Sequence, residues 1–275
     1  MKRLIVNADD FGMSLEVSRG IIEAASSGLV RATSAMPSSP AFDESMDLLE
    51  SSRASLDVGL HATLTWGRPL LDPREVPTLV DEMGNFLPRT TLFSRAVLGG
   101  LSVDEAYREL KAQAERMLSR RPSISHLDGH HHVHAFPTVS LAAERVAQKF
   151  GIRFVRSPTE GRWSPPFRAA VQRIAAALLP AASPSFWRRR GFVAADHFAG
   201  FALGAGDELK GRWLETLKRL REGTTEIMVH PGYGAPSGDG YAGRAEEIAV
   251  LSDPELIDFA ERNGIEPTDF MSPPG

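Results

Sequence analysis

The stretch Ile5-Val6-Asn7-Ala8-Asp9-Asp10-Phe11-Gly12, "IVNADDFG", joins the first apolar run of the chain to two adjacent carboxylates. Short aliphatic and β-branched runs of this kind recur along the sequence and alternate with longer segments of helical periodicity, which indicates repeated β-α units. No linker or shift in composition divides them. We therefore predict one α/β domain over residues 1–275, of a size typical for a single (β/α) barrel.

The predicted elements follow from hydrophobic periodicity and from helix start signals. The predicted strands are Leu4 to Asn7, Ala32 to Met36, Leu56 to His61, Ser123 to Asp128, Ile152 to Arg156, Glu226 to His230 and one near Ile265. The predicted helices are Leu15 to Ser27, Phe42 to Ser51, Val103 to Ser119, Val139 to Phe150, Glu208 to Arg221 and Pro254 to Asn263. A capping box is predicted where Ser102 precedes Glu105 by three residues.

Composition limits the chemistry that the chain can perform. Hydrophobic residues make up 42% of the 275 positions, and 31 basic against 35 acidic residues give a net charge of -4. This balance argues against a nucleic-acid partner and favours a small, neutral or weakly charged substrate. The chain has no cysteine. Disulfides and thiolate nucleophiles are therefore excluded, and any metal must bind to histidine and carboxylate.

Two apolar segments bear on location. The run before Asn7 has only three residues, which is far too short for the core of a signal peptide. The run from Ile174 to Ala182 has about half the length needed to span a bilayer. These features predict a cytoplasmic protein.

Strand parity predicts which side chains face the interior of the barrel. Side chains alternate between the two faces of a strand, and the outward face must pack against helices. The aliphatic positions of the predicted strands face outward on this pattern, which leaves polar groups inward. The inward residues at the carboxyl ends are His61, His126, Asp128, Arg156 and His230, close to Asp9 and Asp10. Enzymes with a (β/α) barrel build their active sites at this end.

The densest cluster of candidate ligands is "HLDGHHHVH", from His126 to His134, which contains five of the eight histidines of the chain. Imidazole is the commonest metal ligand in proteins. One metal ion cannot use all five rings. We expect Gly129 to let the chain turn at the strand end, so that His130 is the first residue free to point across the barrel.

The Asp9-Asp10 pair has two interpretations. Adjacent carboxylates repel each other unless a cation or water relieves them, which suggests a metal nearby. The alternative is structural, because Asp10 or Ser14 could cap the helix that follows. Two acids exceed what one cap requires.

Five stretches of the sequence occur in the same order in a known family. They are "NADDFG" (7–12), "GLHATLTWGRPL" (59–70), "HLDGHHHVHAFP" (126–137), "DHFAG" (196–200) and "EIMVHPGY" (226–233). With these motifs the chain resembles the YdjC-like carbohydrate deacetylases, which include chitooligosaccharide and hopanoid-associated deacetylases. The resemblance implies an irregular (β/α) barrel and one divalent metal ion, Mg²⁺ or Zn²⁺.

The resemblance also implies roles for individual residues. Asp10, His61 and His130 match the metal-ligand positions of the family. Asp9 matches the proposed general base, and His230 matches the proposed general acid. The implied reaction is removal of an N-acetyl group from an amino sugar, in an N-acetylglucosamine-containing oligosaccharide or a glycolipid.

Three further residues are assigned to the surroundings of this site. We expect Arg156 to orient Asp9 through a charge-assisted hydrogen bond, and Asp128 to fix the tautomer of a metal-binding histidine. Tyr233 is predicted to contact the substrate or the residues around the metal.

Two other functions stay open at the level of the sequence. A metal-dependent phosphoesterase would need several Arg or Lys at strand ends or a glycine-rich phosphate-binding loop, and only Arg156 qualifies. A non-catalytic metal- or sugar-binding protein would not need both Asp9 and His230 beside a complete ligand set.

The likeness to the family is weakest in a segment around residues 160–193, which is predicted to act as a variable lid. Aromatic and basic residues flank a short apolar run there, and they suit a helix at a membrane interface. These residues are Phe167, Arg168, Arg173, Ile174 to Leu179, Phe186, Trp187 and Arg188 to Arg190. The alternatives are an ordinary outer helix with a solvated basic end or a homodimer contact. The predicted partners are thus an amino-sugar substrate, a peripheral membrane surface and a second copy of the chain.

Overall fold

The computed structural model describes residues 1–26, 29–160, 179–201, 203–234, 241 and 243–272. Its strands are β1 (Lys2–Phe11), β2 (Val30–Ala35), β3 (Asp57–Ala62), β4 (His126–Gly129), β5 (Phe154–Val155), β6 (His197–Ala199), β7 (Gly223–Val229) and β8 (Ile265–Pro267). All pairs are parallel, in the order β5-β4-β3-β2-β1-β7-β6, and β8 pairs with the start of β1. Two single bridges, Phe154 to Val193 and Glu160 to Phe198, join the two ends of the curled sheet. The fold is an irregular (β/α) barrel, as predicted.

The described helices are α1 (Leu15–Ala25), α2 (Phe42–Ser51), α3 (Arg89–Leu98), α4 (Val103–Leu118), α5 (Pro137–Phe150), α6 (Pro184–Arg188), α7 (Leu209–Lys218), α8 (Arg244–Leu251) and α9 (Pro254–Arg262). Alternation within β1 divides the core. Leu4, Val6 and Ala8 belong to the large cluster that packs under the helices. Ile5 belongs instead to a small cluster inside the barrel that includes Phe154 and Phe270. Asn7 and Asp9 share the inward face with Ile5, because the side chains of a strand repeat every second residue.

Sequence periodicity located most of the elements and missed one strand and three helices. Seven of the eight strands and six of the nine described helices coincide with predicted segments. Strand β1 extends to Phe11, so Asp9 and Asp10 lie within the strand rather than after it. Strand β6 and helices α3, α6 and α8 were not predicted. Strand β6 has only three residues and α6 only five, too few to show a period.

The predicted capping box is half correct. The Ser102 hydroxyl accepts the Glu105 backbone N–H at 3.3 Å, as an N-cap should. The Glu105 carboxylate does not return to Ser102. It accepts the backbone N–H and the hydroxyl of Thr78, both at 2.8 Å, and Thr78 in turn accepts the N–H of Ser102. The first turn of α4 therefore also holds the loop that precedes α3.

The segment around 160–193 is described in part, since residues 161–178 lie outside the described residues. Trp187 was one of the residues that suited a helix at a membrane interface, but its ring does not lie on the surface. Its side chain is fully buried, and its indole N–H donates to the Ala181 carbonyl at 2.7 Å. Arg188 pairs with Asp196, and Arg190 pairs with Glu144. Among the helices that the structure describes, none is long and apolar enough to cross a membrane.

Two helical glycines test how closely α1 packs against the chain after β7. A Cβ added at Gly20 would lie 2.5 Å from the Gly232 Cα, whereas one added at Gly211 in α7 would meet no atom within 4 Å. Gly to Ala in a helix interior stabilises by about 0.5–1 kcal/mol, but overpacking costs about 1–3 kcal/mol. We therefore expect Gly20→Ala to lower the free energy of unfolding and Gly211→Ala to raise it, measured by urea denaturation. Equal stabilisation by both changes would show that the approach of α1 to Gly232 is not tight.

Candidate active site

The inward polar side chains meet at the carboxyl ends of the strands, where they line a cavity of about 610 Å³. Asp9 and Asp10 come from β1, His61 from β3, and His130 and His230 from the residues directly after β4 and β7. All five contribute to the cavity wall. Residues far apart in sequence converge because every strand of a parallel barrel ends at the same face.

One carboxylate and two imidazoles form a compact group of donors. The Oδ1 atom of Asp10 lies 2.9 Å from Nδ1 of His130 and 3.3 Å from Nε2 of His61. The ligand atoms of all three residues lie within 4.8 Å of one another, and the side chains are buried. Donors in a tetrahedral site with bonds of about 2.1 Å are about 3.4 Å apart. The spacing and chemistry of this donor set therefore fit a divalent metal ion.

A second shared contact orients His61. Its Nδ1 lies 2.7 Å from Oδ1 of Asp128, which leaves Nε2 directed at Asp10. A histidine that binds a metal through one ring nitrogen commonly donates a hydrogen bond from the other ring nitrogen to a carboxylate. Asp128 is held in turn, because its Oδ2 accepts a hydrogen bond from Ser34 at 2.7 Å and forms an ion pair with Nη2 of Arg156 at 2.8 Å.

The neighbouring carboxylate, Asp9, has different partners. Arg156 binds it through two nitrogens, Nη1 to Oδ2 at 2.6 Å and Nη2 to Oδ1 at 2.7 Å. Asn7 donates a further hydrogen bond to Oδ1 at 2.8 Å. Arg156 is fully buried, and its Nε donates to Glu226 at 2.6 Å. Asp9 is thus fixed in orientation while its side chain still lines the cavity.

The turn after β4 is made differently from the prediction. Gly129 is extended, with φ at -172°, so it does not supply the turn. His131 and His132 do, with φ of 55° and 57°, values that non-glycine residues rarely adopt. Gly129 is needed for space, since a Cβ there would lie 3.0 Å from the Ala62 carbonyl oxygen. Among the described residues other than glycine, Asp10 is the third with positive φ, at 71°.

Of the five clustered histidines, only His130 joins the donor group. His126 lies beneath the site, between the hydroxyls of Ser125 and Ser34, with its ring stacked on Phe270 at 3.7 Å. Burial lowers the pKa of His126 to about 3, so its ring is neutral. The remaining three have other contacts: His131 with Thr65, His132 with Phe198 and Phe201, and His134 with the Arg156 carbonyl.

His230 lies across the cavity mouth, and its neighbours were not found from the sequence. The ring of Tyr241 lies 4.7 Å from the His230 ring, and Glu247 accepts the His230 backbone N–H. Burial lowers the pKa of His230. The Glu247 contact comes from α8. The acidic first turn of this helix and its apolar pair Ile248 and Leu251 were the available sequence signal. Tyr233 is 42% exposed and donates its hydroxyl to Glu23, so it is not at the site as predicted.

The charges of the buried site favour a cation. Four carboxylates, those of Asp9, Asp10, Asp128 and Glu226, face two guanidinium groups, Arg156 and Arg244. Burial alone would lower the pKa of His61, but the nearby carboxylates, Asp128 foremost, raise it to about 10. Burial raises the pKa of Glu226 to about 7 despite its contact with Arg156. The His61 shift reflects the negative charge of these carboxylates, which a bound divalent ion would offset.

Fold and site together define a (β/α)-barrel protein with a candidate metal-binding site at the carboxyl ends of its strands. The family model described as YdjC-like protein matches residues 3–262. The chain belongs to this YdjC-like family, as the sequence motifs predicted.

Similar proteins span nearly the whole chain. A carbohydrate deacetylase of Geobacillus stearothermophilus is 36% identical over 266 residues, covering 94% of this chain and 93% of that protein. A carbohydrate deacetylase of Homo sapiens is 31% identical and covers 96% of this chain and 88% of that protein. A solved structure from Enterococcus faecalis V583, described as a candidate cellobiose-phosphate cleavage protein, has a TM-score of 0.81. It is 28% identical, with 98% of both chains covered.

Proposed function

We propose that this protein is a metal-dependent carbohydrate deacetylase, which removes an N-acetyl group from an amino sugar such as N-acetylglucosamine in an oligosaccharide or glycolipid. The observation that carries the proposal is that two adjacent carboxylates have different surroundings. Asp10 faces two imidazoles, whereas Asp9 faces a guanidinium and the cavity. The relatives named carbohydrate deacetylase support the same reaction.

Amide hydrolysis has three chemical requirements. The attacking water must lose a proton, charge on the carbonyl oxygen must be stabilised, and the departing nitrogen must gain a proton. Asp10, His61 and His130 would hold one Mg²⁺ or Zn²⁺ ion, which when bound supplies Lewis-acid polarisation and makes a water more acidic. Asp128 keeps Nε2 of His61 directed toward that position.

Asp9 is the general base in this proposal. Its Oδ1 accepts hydrogen bonds from Arg156 and Asn7, whereas its Oδ2 accepts from Arg156 alone, which leaves a free lone pair on Oδ2 because a carboxylate oxygen can accept two hydrogen bonds. The bidentate contact fixes the plane of the carboxylate, so the accepting oxygen needs no reorganisation when it takes a proton from the attacking water. Arg156 is therefore a positioning residue in the proposed reaction.

His230 is the general acid, donating a proton to the nitrogen of the sugar as the C–N bond breaks. Burial lowers the pKa of this residue, which makes the protonated imidazole a stronger acid toward a basic amine. The cavity between His230 and Asp9 is partly walled by Phe93, Phe136 and Phe201. Apolar walls with a few fixed polar groups are typical of small-molecule sites.

The alternative of a phosphoesterase has less support. Arg156 and Arg244, the two guanidinium groups beside the carboxylate pair, are both bound to carboxylates. Arg89 is the one arginine among the described residues that line the cavity, fewer than the several cationic groups that a phosphate site would use. Membrane contact and homodimer formation remain predictions from the sequence, to which the burial of Trp187 lends no support.

A deacetylation screen tests the proposed function. Protein stripped of metal by a chelator is supplied with Mg²⁺ or Zn²⁺ and incubated with N-acetylglucosamine oligomers and N-acetylglucosamine-bearing glycolipids. We expect a mass loss of one acetyl group that depends on added metal and is absent in a His61→Ala, His130→Ala double variant. Release of phosphate from sugar phosphates without deacetylation, or no reaction on any amino sugar, would contradict the proposal.

A further inference from the structure

One short segment outside the strand ends contacts both halves of the proposed catalytic apparatus. It consists of Tyr241 and the first turn of α8, Arg244 to Glu247. Three of its side chains reach the site: Tyr241, Arg244 and Glu247. His61 and His130 come instead from β3 and from the residue directly after β4.

Arg244 joins the proposed metal ligand to the proposed acid. Its side chain is 2% exposed, and its Nη2 donates to Oδ2 of Asp10 at 2.7 Å. Its Nη1 donates to the backbone carbonyl of His230 at 3.3 Å. Arg244 thus engages the Asp10 oxygen that faces away from the two imidazoles, which leaves Oδ1 directed at His61 and His130.

Glu247 and Tyr241 hold His230 at two other points. The buried Glu247 carboxylate accepts the backbone N–H of His230 through one oxygen and the hydroxyl of Tyr241 through the other. The Tyr241 ring then lies against the His230 imidazole at 4.7 Å, tilted by 39°. The N–H, carbonyl and ring of His230 are therefore all contacted by the same segment.

The backbone closes this arrangement. Gly232, two residues after His230, donates its N–H to the Arg244 carbonyl at 3.2 Å. A Cβ at Gly232 would lie 3.2 Å from the Arg244 Cδ and 3.2 Å from the Val17 Cα, so the residue must be small. A shift of α8 would therefore move both His230 and the side chain that holds Asp10.

We propose that Arg244 is a positioning residue that fixes the metal ligand Asp10 and the general acid His230 relative to each other, and that Glu247 and Tyr241 complete this coupling. The inference rests on the proposed deacetylase function. A guanidinium suits the task because its planar fork can serve two acceptors in fixed directions, which the single ammonium of lysine cannot. Replacing a residue that hydrogen-bonds to a metal ligand without touching the metal itself typically lowers metal affinity by about 10–100-fold.

The test uses three variants and separates the two contacts. Zn²⁺ affinity is measured by competition with a chromophoric chelator, and kcat and KM are measured at saturating Zn²⁺ on an N-acetylglucosamine oligomer and on 4-nitrophenyl acetate. The ester has a leaving group that needs no proton, so the amide-to-ester ratio of kcat reports on His230. Arg116→Gln is the control, since Arg116 also binds one carboxylate and one carbonyl, but far from the site.

We expect Arg244→Gln to weaken Zn²⁺ binding by about 10–100-fold and to lower the amide-to-ester ratio, with little change in KM. Arg244→Lys should restore Zn²⁺ affinity more than the amide-to-ester ratio, because one ammonium can neutralise Asp10 without also reaching the His230 carbonyl. Glu247→Gln should lower the ratio and leave Zn²⁺ affinity unchanged. Arg116→Gln should change neither.

The inference is overturned if Arg244→Gln and Arg244→Lys keep the wild-type Zn²⁺ affinity and amide-to-ester ratio and lose only thermal stability. If Arg244→Gln does not fold, Arg244→Lys and Glu247→Gln decide the matter by the same two readouts. A failure of the proposed function looks different. The wild-type protein would then deacetylate no amino sugar, while the Zn²⁺ affinities would still show whether Arg244 positions Asp10.

Discussion

Replacing Asp9 with Asn is expected to lower kcat for deacetylation by about 100–10,000-fold, because general-base catalysis contributes a factor of this size and an amide oxygen is not a base. The metal should stay bound, since the proposed ligands are Asp10, His61 and His130. Asn has nearly the same shape as Asp, so its side chain still offers an oxygen to Arg156 or Asn7. The measurements are kcat on an amino-sugar substrate and metal content by elemental analysis.

Asp10→Asn is the matched comparison, one residue away in the same strand. We expect this variant to lose both activity and metal, because an uncharged side chain is a much weaker ligand and cannot pair with Arg244. The contrast between the two variants is the decisive result. A near-normal rate for Asp9→Asn with full metal occupancy would place the general base elsewhere.

Loss of the proposed ligands should produce the second large effect. The wild-type protein is expected to bind about one divalent ion per chain. His61→Ala or His130→Ala should weaken metal binding by at least about 10–100-fold, because that is the loss typical even for residues that only hydrogen-bond to a metal ligand. Activity should fall with occupancy and recover in part at high metal concentration. Equilibrium dialysis followed by elemental analysis measures the number of ions bound per chain and their affinity.

His131→Ala is the control for these variants. It lies next to His130 in the sequence, but its ring bonds to Thr65 and it is not part of the donor group. We expect its metal affinity to stay within a few-fold of the wild type. Full metal occupancy in a His61→Ala, His130→Ala double variant would rule out the site.

The convergence of the inward polar side chains was predictable from local sequence. Aliphatic residues such as Ile227 and Val229 must face the helices, and a period of two then fixes the opposite orientation for the polar residues between them. Parity thereby placed Arg156 and Asp128 inside the barrel, although no periodicity states which atoms they contact. Their short distances to Asp9 and His61 depend on neighbouring strands and are visible only in the structure.

Strand parity could not predict the contacts that helices make with the site. Arg244 lies 234 residues from Asp10 in the sequence, and nothing in its local pattern distinguishes it from a solvated arginine at the start of a helix. Trp187 is the opposite case. An aromatic residue beside three arginines has the composition of an interfacial helix, but its side chain is buried. Whether its ring is covered depends on which part of the chain packs over it.

The sequence by itself determined the order of most strands and helices, the inward direction of His61 and Asp128, and the family motifs that carry them. Only the tertiary structure decided that His130 alone of its cluster reaches Asp10, and that Arg156 and Arg244 each hold one of the two adjacent carboxylates. The physical reason is the range of the forces involved. Strand parity and helix periodicity arise from backbone geometry over a few residues, whereas a buried charge finds its partner in whichever distant segment the packing of the barrel brings within about 3 Å.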